Sequence, residues 1–437
     1  MVWLIYNLLF AAAFTAAMPY YFFRMYRRGG YRHGFGQRLG WYDEALRRKI
    51  AERRRIWVHA VSVGEVSVAL RFMDAWRLEQ PGIAFVLSTN TSTAHELAGR
   101  SLNPDDVLIY FPVDFPPVLR HVIDIIQPRM IVLTEGEWWP NLIRMTRSRA
   151  VPIVLINGRM SESSFRGYRR LRWFFSRVVR MVDLICVQSR QDANRLLSLG
   201  ADPASVHTTG SAKYDAAQQD PDSMRKAQEI LQAAGLAPTD TFLLGGSTWP
   251  GEETVLLDAY LRFKAIYPAL RLVLVPRHAE RRDKVMSEIL SRRLRVVQRS
   301  RMEGAKRPTE PPDVLLIDTT GELRHLFAVA SVIFMGKSLT AHGGQNIIEP
   351  AAYRKPIMVG PNLENFKEVV GDFLAADAVI QVPDAQTLSD RLGELLADRS
   401  MQTKYGERAA ALVQEKRGSL ERTLKLAAGV LCVAKTP

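Results

Sequence analysis

Residues 56–76 read IWVHAV, then Ser62-Val63-Gly64-Glu65, then VSVALRFMDAW. A short β-branched run, a polar loop containing glycine and a segment of helical period make one strand–loop–helix unit. The pattern recurs along the chain. AFVLST (84–89), VLIYFP (107–112), MIVLTE (130–135), PIVLIN (152–157) and LICVQS (184–189) follow in the first half. FLLGGS (242–247), LRLVLVP (270–276), DVLLID (313–318), SVIFMG (331–336), PIMVG (356–360) and AVIQV (378–382) follow in the second. Runs that are apolar on both faces and separated by helices predict parallel sheets covered on both sides. Twelve such strands predict two Rossmann-like lobes, with the break near 215–222, where DAAQQDPD is polar and contains proline. The stretch RSRMEGAKRPTEPPD (299–313) predicts an exposed excursion within the second lobe.

In doubly wound folds, ligands sit beyond the carboxyl ends of the strands. Unusual polar residues gather at those positions here. They are Ser62–Glu65, then Glu135-Gly136-Glu137-Trp138-Trp139-Pro140-Asn141, Ser247-Thr248-Trp249 and Pro276-Arg277-His278. Asp318 to Glu322, Gly336-Lys337-Ser338 and Gly343 to Asn346 continue the series. Two lobes whose strand ends face each other would enclose a cleft, the layout of a nucleotide-sugar glycosyltransferase of the two-Rossmann (GT-B) type.

Composition is that of an ordinary globular protein. The 437 residues are 47% hydrophobic and 24% charged, which excludes disordered, collagen-like and disulfide-framework classes. Cys186 and Cys432 are the only cysteines and stand in no CxxC or Cys/His cluster, so no thiolate zinc site is expected. The net charge of +14 suits an anionic partner. From Val2 to Phe23 no residue is charged, and cations then crowd from Arg24 to Arg55, including Arg27, Arg28, Arg32, Arg38 and Arg47. A secretory signal carries its positive charge before the apolar run; here it follows, which predicts a membrane anchor with the rest of the chain cytoplasmic. The alternative is a buried core helix. Polar Asn7 and Thr15, with Pro19, leave both a spanning and an interfacial anchor open. The basic stretch reads as headgroup contacts; with no recognition-helix, RNP-like or zinc-finger spacing, nucleic acid is not expected.

Several constellations carry chemistry. Glu65 opens a helix and is either a dipole-complementing cap or a general base that takes a proton from an attacking hydroxyl. Glu135 and Glu137 flank one glycine, and strand alternation would turn both to one side. Arg277, at a strand end, suits a phosphate as a guanidinium fork. Gly343 and Gly344 would let backbone amides approach an anion at a helix start, with Glu349 on the face of Asn346 to accept ribose hydroxyls. Lys213 at the lobe junction could neutralise developing phosphate charge, or be plain solvated surface. No HExxH, P-loop, GxSxG or EF-hand pattern is present and the eight histidines do not pair at ligand spacing, so neither metal nor cofactor is expected.

Taken together, WVHAVSVGEV, YFPVDFP, EGEWWPN, INGRMSESS, LGADPASVHTTGSAKYD, GGSTWPGEE, PRHAER, DTTGEL and GGQNIIEPAAYRKPIMVGPNLENF resemble the 3-deoxy-D-manno-octulosonic acid (Kdo) transferases of lipopolysaccharide biosynthesis. The resemblance runs in order from the N-terminal anchor to about Ala427. It implies a GT-B enzyme at the inner face of the cytoplasmic membrane, moving Kdo from CMP-Kdo to a lipid A precursor with inversion and without metal. It implies Glu65 as base, and Glu135 and Lys213 as transition-state stabilisers. Pro276 and Arg277, Thr320, Gly321 and Glu322, and Asn346, Ile347, Ile348 and Glu349 are implied as CMP contacts, with Gly343, Gly344 and Gln345 as a donor-phosphate loop. Residues 1–23 would then be the anchor, 24–55 a basic juxtamembrane segment, 56–214 the acceptor lobe and 222–430 the CMP-sugar lobe. A GT-B transferase using another nucleotide-activated sugar on a membrane acceptor is the alternative. Gln345 departs from the family's usual histidine, and a neutral amide cannot carry imidazolium charge.

Overall fold

The computed structural model describes residues 2–28, 34–215, 219–302, 304 and 307–433, and the side chains of all of these except 21–28. Arg24, Arg27, Arg28 and Arg32 therefore lie outside the described side chains, and parts of 215–222 and 299–313 outside the described residues. The chain divides into two compact units, Met1–Asp215 with Arg417–Pro437, and Ala216–Lys416.

The first unit holds seven parallel strands: β1 (Ile56–Ala60), β2 (Phe85–Thr89), β3 (Val107–Tyr110), β4 (Met130–Thr134), β5 (Ile153–Gly158), β6 (Leu184–Val187) and β7 (Val206–Thr208). Their order is β3-β2-β1-β4-β5-β6-β7, so the sheet reverses direction of growth between β1 and β4. Alternate residues of each strand feed two cores. Trp57, Ile109 and Ile131 join one, and Val58, Phe85 and Val132 join the other, as a sheet covered on both faces requires.

The second unit repeats the plan with β8 (Thr241–Thr248), β9 (Leu270–Pro276), β10 (Val296–Gln298), β11 (Val314–Leu316), β12 (Val332–Met335), β13 (Ile357–Val359) and β14 (Ile380–Gln381). Its order is β10-β11-β9-β8-β12-β13-β14, all parallel, with the switch between β8 and β12. This is the GT-B architecture of two Rossmann-like lobes.

Three expectations need correction. Strands β7 and β10 are absent from the sequence reading; each is a three-residue strand at the edge of its sheet, incompletely covered, so neither shows a doubly apolar run. The second lobe does not extend to residue 430. The chain returns at Arg417, and the helix Ser419–Val433 buries Leu424, Ala427 and Leu431 in the first unit's core. Finally, not every cation of 24–55 faces outward. Arg55 is fully buried, donating to the carbonyls of Asp105 and Lys49, and Arg38 donates to the carbonyl of Asn90 while lying over the Tyr110 ring.

Candidate active site

Glu65 and Glu135 leave the two strands that flank the first unit's switch point, β1 and β4, the crevice where such sheets bind ligands. The helix that carries Glu65 starts at Val63, earlier than the sequence reading placed it. Ser62 caps it, accepting from the Glu65 amide, while Glu65 Oε1 accepts from Ser62 Oγ at 2.8 Å. Glu65 thus stands in the first turn of a Ser-capped helix, where a carboxylate complements the helix dipole. More is built on it. Oε2 accepts from the Val61 amide at 3.0 Å and from Thr134 Oγ1 at 2.9 Å. A carboxylate offers about four lone-pair sites; the single Thr134 proton is shared with the His59 carbonyl, also at 2.9 Å, so at least one site is left for a substrate hydroxyl.

The turn after β4 departs from the expected strand geometry. Glu135 has φ +51°, in the left-handed region, so it and Glu137 do not alternate as strand residues. Glu135 Oε1 accepts from Asn157 Nδ2 at 3.4 Å and its Oε2 lies 3.5 Å from Arg159 Nε. Glu137 turns toward the fully buried His59, 4.0 Å from its Nε2. Burial, then the Glu65 and Glu135 charges, push the Glu137 carboxyl up to about 7. Burial pulls His59 down to about 3, so its ring is neutral.

Asn157, which the sequence reading did not single out, ties this turn to Lys213. Its Oδ1 accepts from the Ala212 amide at 3.0 Å, and its own φ is +52°. Hydrogen bonds and adjacent residues thus run from Glu65 through Thr134 to Glu135, then through Asn157 to the helical turn Ala212–Asp215 with Lys213. The only hint of Asn157 in the sequence is that it ends an apolar strand. Thr134 offered none.

In the second unit β8 and β12 flank the switch point. Glu252, fully buried, accepts from the amides of Trp249, Lys337, Ser338 and Leu339 at 2.8–3.0 Å, joining the loops after both strands. A Cβ at Gly336 would stand 2.6 Å from its Oε2, so only glycine allows that approach. Glu253 beside it accepts from Thr248 Oγ1 and from the Arg281 fork. Neither glutamate figured among the candidate residues.

Pro276 ends β9 buried, and Arg277 follows with an exposed side chain, its amide donating to the Thr248 carbonyl. Thr320 and Gly321 are exposed, Gly321 with φ +87°; Glu322 accepts from Thr319 Oγ1 and pairs with Arg299 at 2.9 Å. Asn346, just before the short helix Ile348–Ala352, accepts from the Ile348 amide at 3.0 Å and donates to exposed Glu349 at 3.3 Å. Ile347 and Ile348 are core residues, so a ligand could meet only their backbone. The glycine pair is a second correction. The Gly343 amide donates to Glu364 at 2.7 Å and the Gly344 amide to the Lys337 carbonyl at 2.8 Å, so both are already engaged. Their φ values of +117° and +70° explain the glycines instead. Gln345 is half-buried beside them. Among the described residues no three His, Cys, Asp or Glu side chains gather as a metal site.

The two parallel seven-stranded sheets place this chain among GT-B-like folds. UDP-GlcNAc 2-epimerase from Neisseria meningitidis covers 86% of this chain and 99% of its own at TM-score 0.56 and 12% identity. A glycosyltransferase from Rickettsia africae covers 88% and 100% at TM-score 0.55 and 12% identity; both likenesses concern fold alone. Residues 33–216 match the family model described as 3-deoxy-D-manno-octulosonic-acid transferase (kdotransferase). The 3-deoxy-D-manno-octulosonic acid transferase of Bordetella pertussis is 32% identical over 84% of this chain and 86% of its own. That of Haemophilus influenzae is 29% identical over 91% of each. The chain belongs to the Kdo transferase family, and it is a glycosyltransferase.

Proposed function

We propose that the protein transfers Kdo from CMP-Kdo to a lipid A precursor of the lipid IVA type, on the cytoplasmic side of the inner membrane, with inversion at the anomeric carbon. The observation that carries the mechanism is the Glu65 carboxylate, held by Ser62, Val61 and Thr134 with at least one acceptor site to spare. In this reading a glucosamine hydroxyl hydrogen-bonds to that site. Its oxygen attacks C2 of Kdo, Glu65 takes the proton, and the bond to the CMP phosphate breaks on the opposite face. Glu135 and Lys213 are assigned to the transition state and Arg277 to the CMP phosphate, with the strand-end segments at Thr320–Glu322 and Asn346–Glu349 recognising the nucleotide. No bound metal has a role in this scheme.

The test is a transfer assay on the full chain in detergent, with CMP-Kdo generated in situ and a tetra-acylated lipid A precursor. Mass spectrometry should show acceptor gaining Kdo with wild type. Glu65→Gln should lower turnover by about a thousandfold or more while CMP-Kdo binding stays near wild type. Near-normal turnover by that variant would remove the base assignment. A UDP-sugar used in preference to CMP-Kdo would move the chain to the alternative donor class.

A further inference from the structure

The N-terminal helix Val2–Arg28 carries no charge from Val2 to Phe23, yet the two sides of its first turns differ. Trp3, Tyr6, Asn7, Phe10 and Phe14 recur at helical spacing and are half-buried, whereas Leu4, Leu8 and Leu9 are more than 60% exposed. The half-buried side is docked on the first unit. Tyr6 Oη donates to Asp114 at 3.0 Å, and Asn141 Nδ2 donates to Asn7 Oδ1 at 2.7 Å. Phe174 stacks on Tyr6 with centroids 5.2 Å apart, and the Arg144 guanidinium lies 4.8 Å from the Trp3 ring centroid. The helix's polar residues near its start thus have protein partners.

The far flank of the apolar segment returns to the same place. Gln37 Oε1 accepts from the Tyr110 amide at 2.9 Å, and the Arg38 carbonyl accepts from the Val113 amide at 2.8 Å. Positions 6 and 37–38 are therefore both bound within residues 110–114. A segment that crosses a bilayer leaves its flanks on opposite faces, separated by a hydrocarbon core of about 30 Å. One five-residue stretch cannot hold both the first turns of such a crossing helix and the chain beyond its far end.

Beside the docked helix, the helices Glu162–Arg170 and Arg172–Val179 expose Leu171 and Trp173, each about half accessible, with the exposed cations Arg169, Arg170 and Arg177. Trp173 adjoins Phe174, the ring under Tyr6. An apolar ridge flanked by arginines complements an anionic, lipid-covered surface.

We propose that the N-terminal helix is an in-plane anchor that does not cross the membrane, its Leu4/Leu8/Leu9 face and the Leu171–Trp173 ridge lying together on an anionic bilayer surface. The free end of the helix then stays on the same side as the catalytic units.

Sidedness tests this without any transfer reaction, so it stands or fails apart from the proposed activity. Full-length Val2→Cys protein in bacterial inner membranes is exposed to a membrane-impermeant maleimide, with exposed Cys432 as the internal reference. Both positions should label in inside-out vesicles and neither in spheroplasts. Labelling of position 2 in spheroplasts, or in neither preparation, overturns the in-plane anchor. Flotation on phosphatidylglycerol–phosphatidylethanolamine vesicles then tests the ridge. The exposed triple change Arg169→Ala, Arg170→Ala, Trp173→Ser should weaken partitioning by about tenfold or more, with the far-ultraviolet circular dichroism unchanged. Partitioning equal to wild type, or equal wild-type binding to neutral phosphatidylcholine vesicles, would remove the anionic surface as the partner.

Discussion

His59 Nε2 lies 4.0 Å from Glu137 Oε2, and that buried ring nitrogen has no hydrogen-bond partner of its own. The other ring nitrogen, Nδ1, is 3.1 Å from the Ser88 carbonyl, so the neutral tautomer that donates there turns a lone pair toward Glu137. At 4.0 Å the two do not hydrogen-bond, but a protonated Glu137 carries the kind of donor that this lone pair lacks. Its carboxyl, pushed up to about 7 by burial and by Glu65, stays neutral where a free glutamate ionises. A raised acid pKa means the folded chain holds a proton that the unfolded chain releases. The contribution is complete below the ordinary glutamate value and is lost as pH rises through about 7. Wild type should therefore lose roughly 2–3 kcal/mol of first-unit stability between pH 5 and 8 that Glu137→Gln, a permanent neutral donor, does not lose. Thermal unfolding of both proteins across that range reads it out. Parallel melting curves at every pH would sink the idea.

Asn157 is predicted to be a positioning residue. Asparagine tolerates the left-handed backbone found there, and its two side-chain atoms reach Glu135 and the Ala212 amide. Asn157→Asp keeps the acceptor for Ala212 but replaces the donor with a charge facing Glu135. Turnover should fall about ten- to a hundredfold with less than about 1 kcal/mol lost in stability. Asn157→Ala should lose both bonds, leave the Ala212 amide unsatisfied and cost about 1–3 kcal/mol as well. An Asp variant with wild-type kcat would show that the bridge does not matter to the chemistry.

These residues show what a sequence discloses. Strands buried on both faces announce themselves, because β-branched runs such as Val58 to Val61 or Leu272 to Val275 need no partner to be recognised. The edge strands Val206–Thr208 and Val296–Gln298 do not, since half their environment is solvent. Glu65 was legible because a carboxylate after Ser62 and Gly64 sits at a helix start. Asn157 and Glu252 were not, because their importance is a matter of which distant amides they meet. Gly343 and Gly344 mark the opposite error. The pair suggests access for an anion, whereas positive φ and the close approach of Asn365 and Leu363 already require glycine there.

Glu252 should be the stability determinant of the second unit's switch point. Four buried amides converge on one carboxylate, and replacing it with alanine leaves all four without an acceptor. The cost should be at least about 3 kcal/mol, or roughly a 10 °C fall in the melting of that unit. CMP binding by calorimetry should weaken in parallel, since the loops after β8 and β12 would no longer be joined. A melting temperature within about 2 °C of wild type would contradict the prediction.

The C-terminal helix should matter to transfer although none of its residues belongs to the proposed site. Asp215, two residues after Lys213, accepts from the Gly418 amide at 2.6 Å and the Leu420 amide at 2.8 Å. Ser419 Oγ donates to the Gly210 carbonyl at 2.7 Å, and Arg422 Nη2 to the Thr209 carbonyl at 2.8 Å. The loop 209–215 that carries Lys213 is thus held from the far end of the chain. Asp215→Ala leaves two amides without an acceptor and frees that loop, which should cost about 1–3 kcal/mol in first-unit stability. Because Lys213 is assigned to the transition state, kcat should fall about tenfold while the KM for CMP-Kdo changes little. Leu424→Ala provides the contrast, since it opens a cavity in the core and should cost about 2–5 kcal/mol with kcat of the folded fraction preserved. Equal loss of kcat in both variants would mean that the helix acts only through global stability, and that the Asp215 bonds do not position Lys213.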